Sequence, residues 1–128
     1  MIAHTSIGVR DIDRSKRFYD AALEPLGYKC LRAARTLLGY GYGRDSIALW
    51  VVQAEHPVPA DEKSGLHFCF AAANVAAVDA FHAAALRSGG RDNGEPGLRP
   101  EYSPDYYAAF ISDPDGYRIE AYYGPGET

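Results

Sequence analysis

The chain has 128 residues, of which 47% are hydrophobic and 23% are charged, proportions typical of a globular domain with one buried core. Its formal net charge is -4, and Lys and Arg are scattered among carboxylates, so it lacks the basic stripe of a nucleic-acid-binding protein. No apolar run approaches the roughly 18 residues that span a bilayer, and the first residues lack the pattern of a signal peptide. We therefore expect one cytoplasmic domain over residues 1–128 that binds neither nucleic acid nor membrane.

The predicted elements occur twice. In chain order we expect a first strand near His4, a helix over 12–23, strands over 29–35, 36–42 and 46–53, a linker over 54–64, a strand from His67, a helix over 75–88, a mobile loop over 89–104, and strands over 106–112 and 117–123. Asp11 and Asn74 suit helix N-caps because their side-chain oxygens can accept from free amides of the first turn. The sequence thus predicts an α+β fold of two tandem β-α-β-β-β modules, residues 1–53 and 65–128, whose curved mixed sheet surrounds a pocket.

A gapless alignment of the two halves supports this repeat. Placing His4 over His67, an offset of 63 residues (67 minus 4), aligns Asp11 with Asn74, Phe18 with Phe81, Leu23 with Leu86 and Gly27 with Gly90. Two histidines therefore occupy matched positions of the repeat.

Side chains alternate between the two faces of a strand, which separates a core face from a pocket face. One set is apolar and suits packing under a helix. The opposite set is chemically richer and resembles a pocket wall; it includes His4, Ser6, Trp50, His67, Cys69, Arg118, Glu120 and Tyr122.

Two matched histidines and a carboxylate from the last strand supply the donors of a 2-His-1-carboxylate metal site. His4, His67 and Glu120 would suit one divalent ion, namely Zn, Ni, Mn or Fe(II). The repeat places Ala48 where symmetry would call for a partner of Glu120. Because alanine cannot coordinate, such an ion would have three protein ligands and open positions for substrate.

These motifs resemble the vicinal oxygen chelate superfamily, which includes glyoxalase I, extradiol dioxygenases, fosfomycin-resistance thiol transferases and bleomycin-resistance proteins. The resemblance spans nearly the whole chain and is carried by the segments HTSIGVRD (4–11), HFCF (67–70) and SDPDGYRIE (112–120). It implies ligand roles for His4, His67 and Glu120, with Glu120 also catalytic, and it implies a homodimer. Ala48 disfavours glyoxalase I activity, because bacterial glyoxalase I has a second glutamate at that position.

The leading hypothesis is a metal-dependent enzyme acting on a small molecule, as a lyase, isomerase, dioxygenase or transferase. Its candidate substrate contacts are Ser6, Trp50, Tyr107, Arg118 and Tyr122. The alternatives are a metal-free protein that sequesters a small molecule, and an interface module with a vestigial pocket.

Several residues also have structural interpretations. Glu120 could be a half-buried carboxylate paired with Arg118 or Arg87, and Trp50 could be filler that closes the cavity. We expect His56 and His82 to be exposed to solvent. The two cysteines form no C-x-x-C motif, so in a reduced intracellular chain we expect two free thiols.

Overall fold

The structure is a computed structural model that describes residues 1–44 and 46–124, except for the side chain of Glu62. Its helices are α1 (Ile12–Leu23) and α2 (Val75–Arg87). Its strands are β1 (Thr5–Val9), β2 (Lys29–Ala33), β3 (Leu37–Tyr42), β4 (Ser46–Gln53), β5 (His67–Ala71), β6 (Arg91–Leu98), β7 (Tyr107–Ser112) and β8 (Arg118–Tyr123). Short 3-10 helices cover Glu24–Leu26 and Glu62–Ser64. No helix among the described residues is long and apolar enough to cross a membrane.

The described strands form two mixed four-stranded sheets with the same connectivity, in the orders β1-β4-β3-β2 and β5-β8-β7-β6. In each sheet the first strand pairs in parallel with the last, and the other pairs are antiparallel. The helix that follows the first strand of each module packs on its own sheet, and α1 and α2 also pack against each other. The predicted α+β fold of two tandem modules is confirmed.

Local sequence signals position both helices. The Asp11 side chain accepts a hydrogen bond from the Arg14 amide at 3.1 Å, and the Asn74 side chain accepts one from the Ala77 amide at 2.8 Å. Each cap satisfies an amide that has no partner within its own helix. The helix over 12–23 is confirmed to the residue, and the second helix ends one residue earlier than predicted.

The mobile loop predicted over 89–104 is wrong, because half of it, Arg91–Leu98, forms the edge strand β6. Turn-forming residues are tolerated here since an edge strand has only one hydrogen-bonded neighbour. The pairing with β7 shifts register between Asp92 and Gly94 and again between Gly94 and Gly97. Gly94 adopts a φ of 150°, a backbone conformation that favours glycine. The bulges therefore absorb the residues that had suggested a loop.

The exposure predicted for His82 is also wrong, and for a related reason. His82 is 8% exposed, and its Nε2 lies 2.9 Å from Asp92 Oδ1 on β6. Hydrogen bonds from His82 and from the Gly94 amide lower the pKa of Asp92. The sequence did not predict strand β6, so it did not predict the contact between His82 and Asp92 on that strand either. His56 is exposed, as expected.

A buried carboxylate joins the two modules. Asp113, which is 2% exposed, accepts hydrogen bonds from the Tyr19 hydroxyl at 2.5 Å and from the Tyr117 amide at 2.8 Å. The Tyr117 hydroxyl in turn donates to the Gly8 carbonyl of β1 at 2.8 Å. Burial raises the pKa of the Asp113 carboxyl to about 6, although the hydrogen bonds that it accepts from Tyr19 and Tyr117 lower the pKa. The 113–116 turn therefore also fastens module two to module one.

Candidate functional site

The candidate site is built on the face of the second sheet that is turned away from α2. Residues paired across neighbouring strands project to the same side, so the register defines rows of side chains. The histidine row contains His67, Arg118, Ser112 and Arg91, on β5, β8, β7 and β6 in that order. The glutamate row, one step further along the same face, contains Cys69, Glu120, Phe110 and Gly94.

Glu120 is the best-buried ionisable group of this face, with 3% exposure. His67 Nε2 lies 3.1 Å from Glu120 Oε1, and the Tyr106 hydroxyl donates a hydrogen bond to Oε2 at 2.5 Å. A buried carboxylate is costly without such partners. The partners are His67 and Tyr106, and neither Arg118 nor Arg87 forms the ion pair considered from the sequence.

Tyr106 is a site residue that sequence reasoning missed. It immediately precedes β7 and lies on the face of Phe110, since residues 106, 108 and 110 alternate with those of the core face. Burial is the main cause, and the hydrogen bond to Glu120 the second, of a rise in the pKa of the Tyr106 hydroxyl well above its ordinary value. Tyr106 therefore stays a neutral donor at physiological pH.

Two further tyrosines extend this corner into an aromatic wall. The Tyr106 ring stacks on Tyr122 with centroids 4.9 Å apart and an interplanar angle of 18°. Tyr102 meets the Tyr106 ring edge-on at 5.2 Å. A cavity of about 380 Å³ is lined by Tyr102 and Tyr106 of this wall together with His67, Phe110, Arg118 and Glu120. Such a surface suits an apolar or aromatic body with a few fixed polar contacts.

His4 faces a neighbouring cavity. It lies just before β1, is exposed, and lines a space of about 350 Å³ together with His67, Cys69 and Ala48. His67 borders both cavities and thus connects His4 to Glu120. Within residues 1–44 and 46–124, however, no three His, Cys, Asp or Glu side chains are close enough together to hold a metal ion. Neither cysteine of this part of the chain forms a disulfide.

The other predicted substrate contacts fall in different places. Ser6 and Trp50 are cross-strand partners on the first sheet, where the Trp50 ring covers Gly39. Tyr107 points to the helix side of the second sheet, and its hydroxyl donates to Asp79 of α2 at 2.6 Å. The structure therefore brings together His67, Arg118, Glu120 and Tyr122, and places Ser6, Trp50 and Tyr107 apart from the Glu120 cavity.

The fold and this face define a two-module protein with cavities beside a histidine–carboxylate pair. The profile of the Glyoxalase/Bleomycin resistance protein/Dioxygenase superfamily matches residues 1–121, and the chain belongs to that superfamily. No curated protein matches the sequence.

Solved structures agree with this assignment. A glyoxalase/bleomycin resistance protein from Albidiferax ferrireducens is 34% identical, with a TM-score of 0.81 over 98% of this chain and 99% of that one. A fosfomycin resistance protein from Mesorhizobium loti is 18% identical, with a TM-score of 0.71 over 98% of this chain and 93% of that one. A glyoxalase I variant from Zea mays is 22% identical, with a TM-score of 0.67 over 94% of this chain and 45% of that one. The last two likenesses establish the fold alone.

Proposed function

We propose that this protein is a metal-dependent enzyme that acts on a small organic molecule, with His4, His67 and Glu120 as the ligands of one divalent ion. The observation that carries the proposal is the 3.1 Å contact between His67 Nε2 and Glu120 Oε1 on a pocket face. Two adjacent ligands of an octahedral ion, each bonded at about 2.1 Å, stand about 3 Å apart. The pair therefore has the spacing of two ligands, and His4 borders the same cavity as His67. Because the three side chains are not grouped closely enough to hold an ion as they stand, the His4 side chain would have to turn toward the pair when the ion binds.

The donor set also fits the chemistry. Imidazole nitrogen and carboxylate oxygen suit Zn, Ni, Mn or Fe(II), and Ala48 leaves the fourth position without a side-chain ligand. Bound there, such an ion would act as a Lewis acid on a substrate oxygen. Tyr106 holds the second oxygen of Glu120 and so fixes the direction of the carboxylate. The aromatic wall would exclude water from the apolar part of the substrate.

A second candidate is metal-free binding and sequestration of a small molecule. It is favoured by the fact that both Glu120 oxygens already have protein partners. The aromatic wall would then be the main ligand contact, and His67 would serve as a hydrogen-bonding group.

Metal content separates the two candidates. Protein purified without an affinity tag would be analysed for metals beside His4→Ala, His67→Ala and Glu120→Ala, with His56→Ala as a matched control on an exposed histidine. We expect about one ion per wild-type chain, which is retained by the control and lost from the three site variants. Wild-type protein that stays empty after incubation with Ni, Mn, Zn and anaerobic Fe(II) would refute the metal site and favour sequestration.

A further inference from the structure

A third cavity, of about 340 Å³, opens at the far end of the histidine row. Arg91, Ser112 and Arg118 line it as direct cross-strand neighbours, and Asn93 of the β6 bulge lines it as well. The outer two strands of such a row are about 10 Å apart, so two arginine side chains can converge above the serine between them. We call these four residues the arginine cleft.

Two donors in the arginine cleft lack an acceptor. Arg118 Nε and Asn93 Nδ2 are both shielded from solvent, and neither has a hydrogen-bond partner among the described residues. An unsatisfied buried donor costs about 1–3 kcal/mol, more when the group is charged. Because both residues line one cavity, an acceptor bound in that cavity would offer these donors the partner they lack.

Each acidic residue at the rim has one carboxylate oxygen engaged elsewhere. Asp61 Oδ1 accepts from the amides of Lys63 and Ser64 at 2.9 and 3.0 Å, capping a 3-10 helix. Asp92 Oδ1 accepts from the Gly94 amide at 3.0 Å and contacts His82. No ion pair among the described residues includes either arginine of the cleft. Both guanidinium groups are therefore available to a ligand.

We propose that the arginine cleft binds an oxyanion, such as a carboxylate, sulfonate or phosphate group. Planar guanidinium groups match the paired oxygens of these anions, and the serine hydroxyl and asparagine amide add further donors. Arg118 also lines the Glu120 cavity. The bound oxyanion is accordingly the charged end of a substrate whose apolar part lies along the aromatic wall. This second step, which makes the substrate a small organic anion, rests on the proposed function, whereas the cleft itself does not.

The test uses protein that has been stripped of metal with EDTA and then separated from the chelator, so that it is independent of the metal site and no chelator carboxylate competes for the cleft. Inorganic phosphate, sulfate and acetate would be titrated in turn by calorimetry, and the Arg118 Nε–H signal would be followed by NMR. We expect saturable binding and a shift of that signal. Arg91→Gln and Arg118→Gln should each weaken binding about tenfold or more, which corresponds to ~1.4 kcal/mol. The order of the three anions identifies the group that the cleft prefers.

Arg17→Gln is the matched control, because Arg17 is exposed on α1 and its loss changes the net charge equally. Binding that is equal in all three variants, or that does not saturate in the wild type, would overturn the proposal. Circular dichroism of each variant excludes unfolding as the cause of a loss. An anion site in a chain that takes up no metal would leave the cleft standing and remove the proposed enzyme. Metal uptake without anion binding would remove the cleft and leave the proposed enzyme standing.

Discussion

Replacing Asp113 by Asn should change how the stability of the protein depends on pH. Asp113 is buried where module two is fastened to module one, and its pKa is raised from 3.8 to about 6. Between these values the folded state holds the carboxyl proton more tightly than the unfolded chain does. The wild-type free energy of unfolding therefore loses a contribution as the pH rises from about 4 to about 6.

The magnitude follows from the two pKa values. Their difference, at 1.36 kcal/mol for each pH unit, corresponds to ~3 kcal/mol. Asn has no such proton to lose, and its side-chain oxygen can still accept from the Asp115 and Tyr117 amides as Asp113 does. As the pH rises from about 4 to about 7, the free energy of unfolding of Asp113→Asn should therefore increase by ~3 kcal/mol relative to that of the wild type.

Urea denaturation at a series of pH values would measure this, with the fluorescence of Trp50, the single tryptophan, as the probe. Carboxylates distant from Asp113 titrate alike in both proteins, so their contributions cancel in the difference between the two curves. Asp105→Asn, which removes an exposed carboxylate, controls for the loss of charge. Curves for the wild type and Asp113→Asn that stay parallel across this range would refute the reasoning.

Two further substitutions test the site and the first sheet. Tyr106→Phe removes the donor to Glu120 and should weaken metal binding about 10- to 100-fold in a chelator competition assay, whereas Tyr107→Phe on the opposite face should not. Equal effects of the two would contradict the assigned faces. Gly41→Ala would place a Cβ 1.9 Å from a backbone carbonyl oxygen and should lower the unfolding free energy by ~3 kcal/mol or more; Gly97→Ala, whose Cβ would meet only the end of a side chain at 3.3 Å, should cost much less.

What could be predicted from the sequence is what depends on neighbouring residues. The caps at Asp11 and Asn74 and the apolar spacing of the helices are local signals, and they located both helices to within a residue. Period-two alternation likewise placed His67 and Glu120 on one face. The link between Tyr19 and Asp113 joins positions 94 apart in the chain and has no local signal, so it could not be predicted.

The sequence favoured Tyr107 rather than Tyr106 as a substrate contact for a different reason. In the segment YYAAFI (106–111) both alternating sets are apolar or aromatic, so composition does not say which set faces the core. The pairing of Phe110 with Glu120 decides it, because the set that contains Phe110 then shares the pocket face. Tyr106 belongs to that set. Strand register, which depends on contacts distant in sequence, was the missing information.

Strand β6, which the sequence predicted as part of a loop, also contributes residues to the proposed anion site. A register shift in β6 lies between Asp92 and Gly94, so Arg91 and Gly94, which would point to opposite faces of a regular strand, both pair with residues of the pocket face. Asp92 reaches His82 on the helix side, while Asn93 lines the cleft with Arg91. A regular edge strand of the same length would direct residues 92 and 94 to one face and 93 to the other. The glycine- and proline-rich composition that suggested a loop is thus what permits the bulges, while ordinary alternation along the strand supplies Arg91 and Asn93 to the cleft.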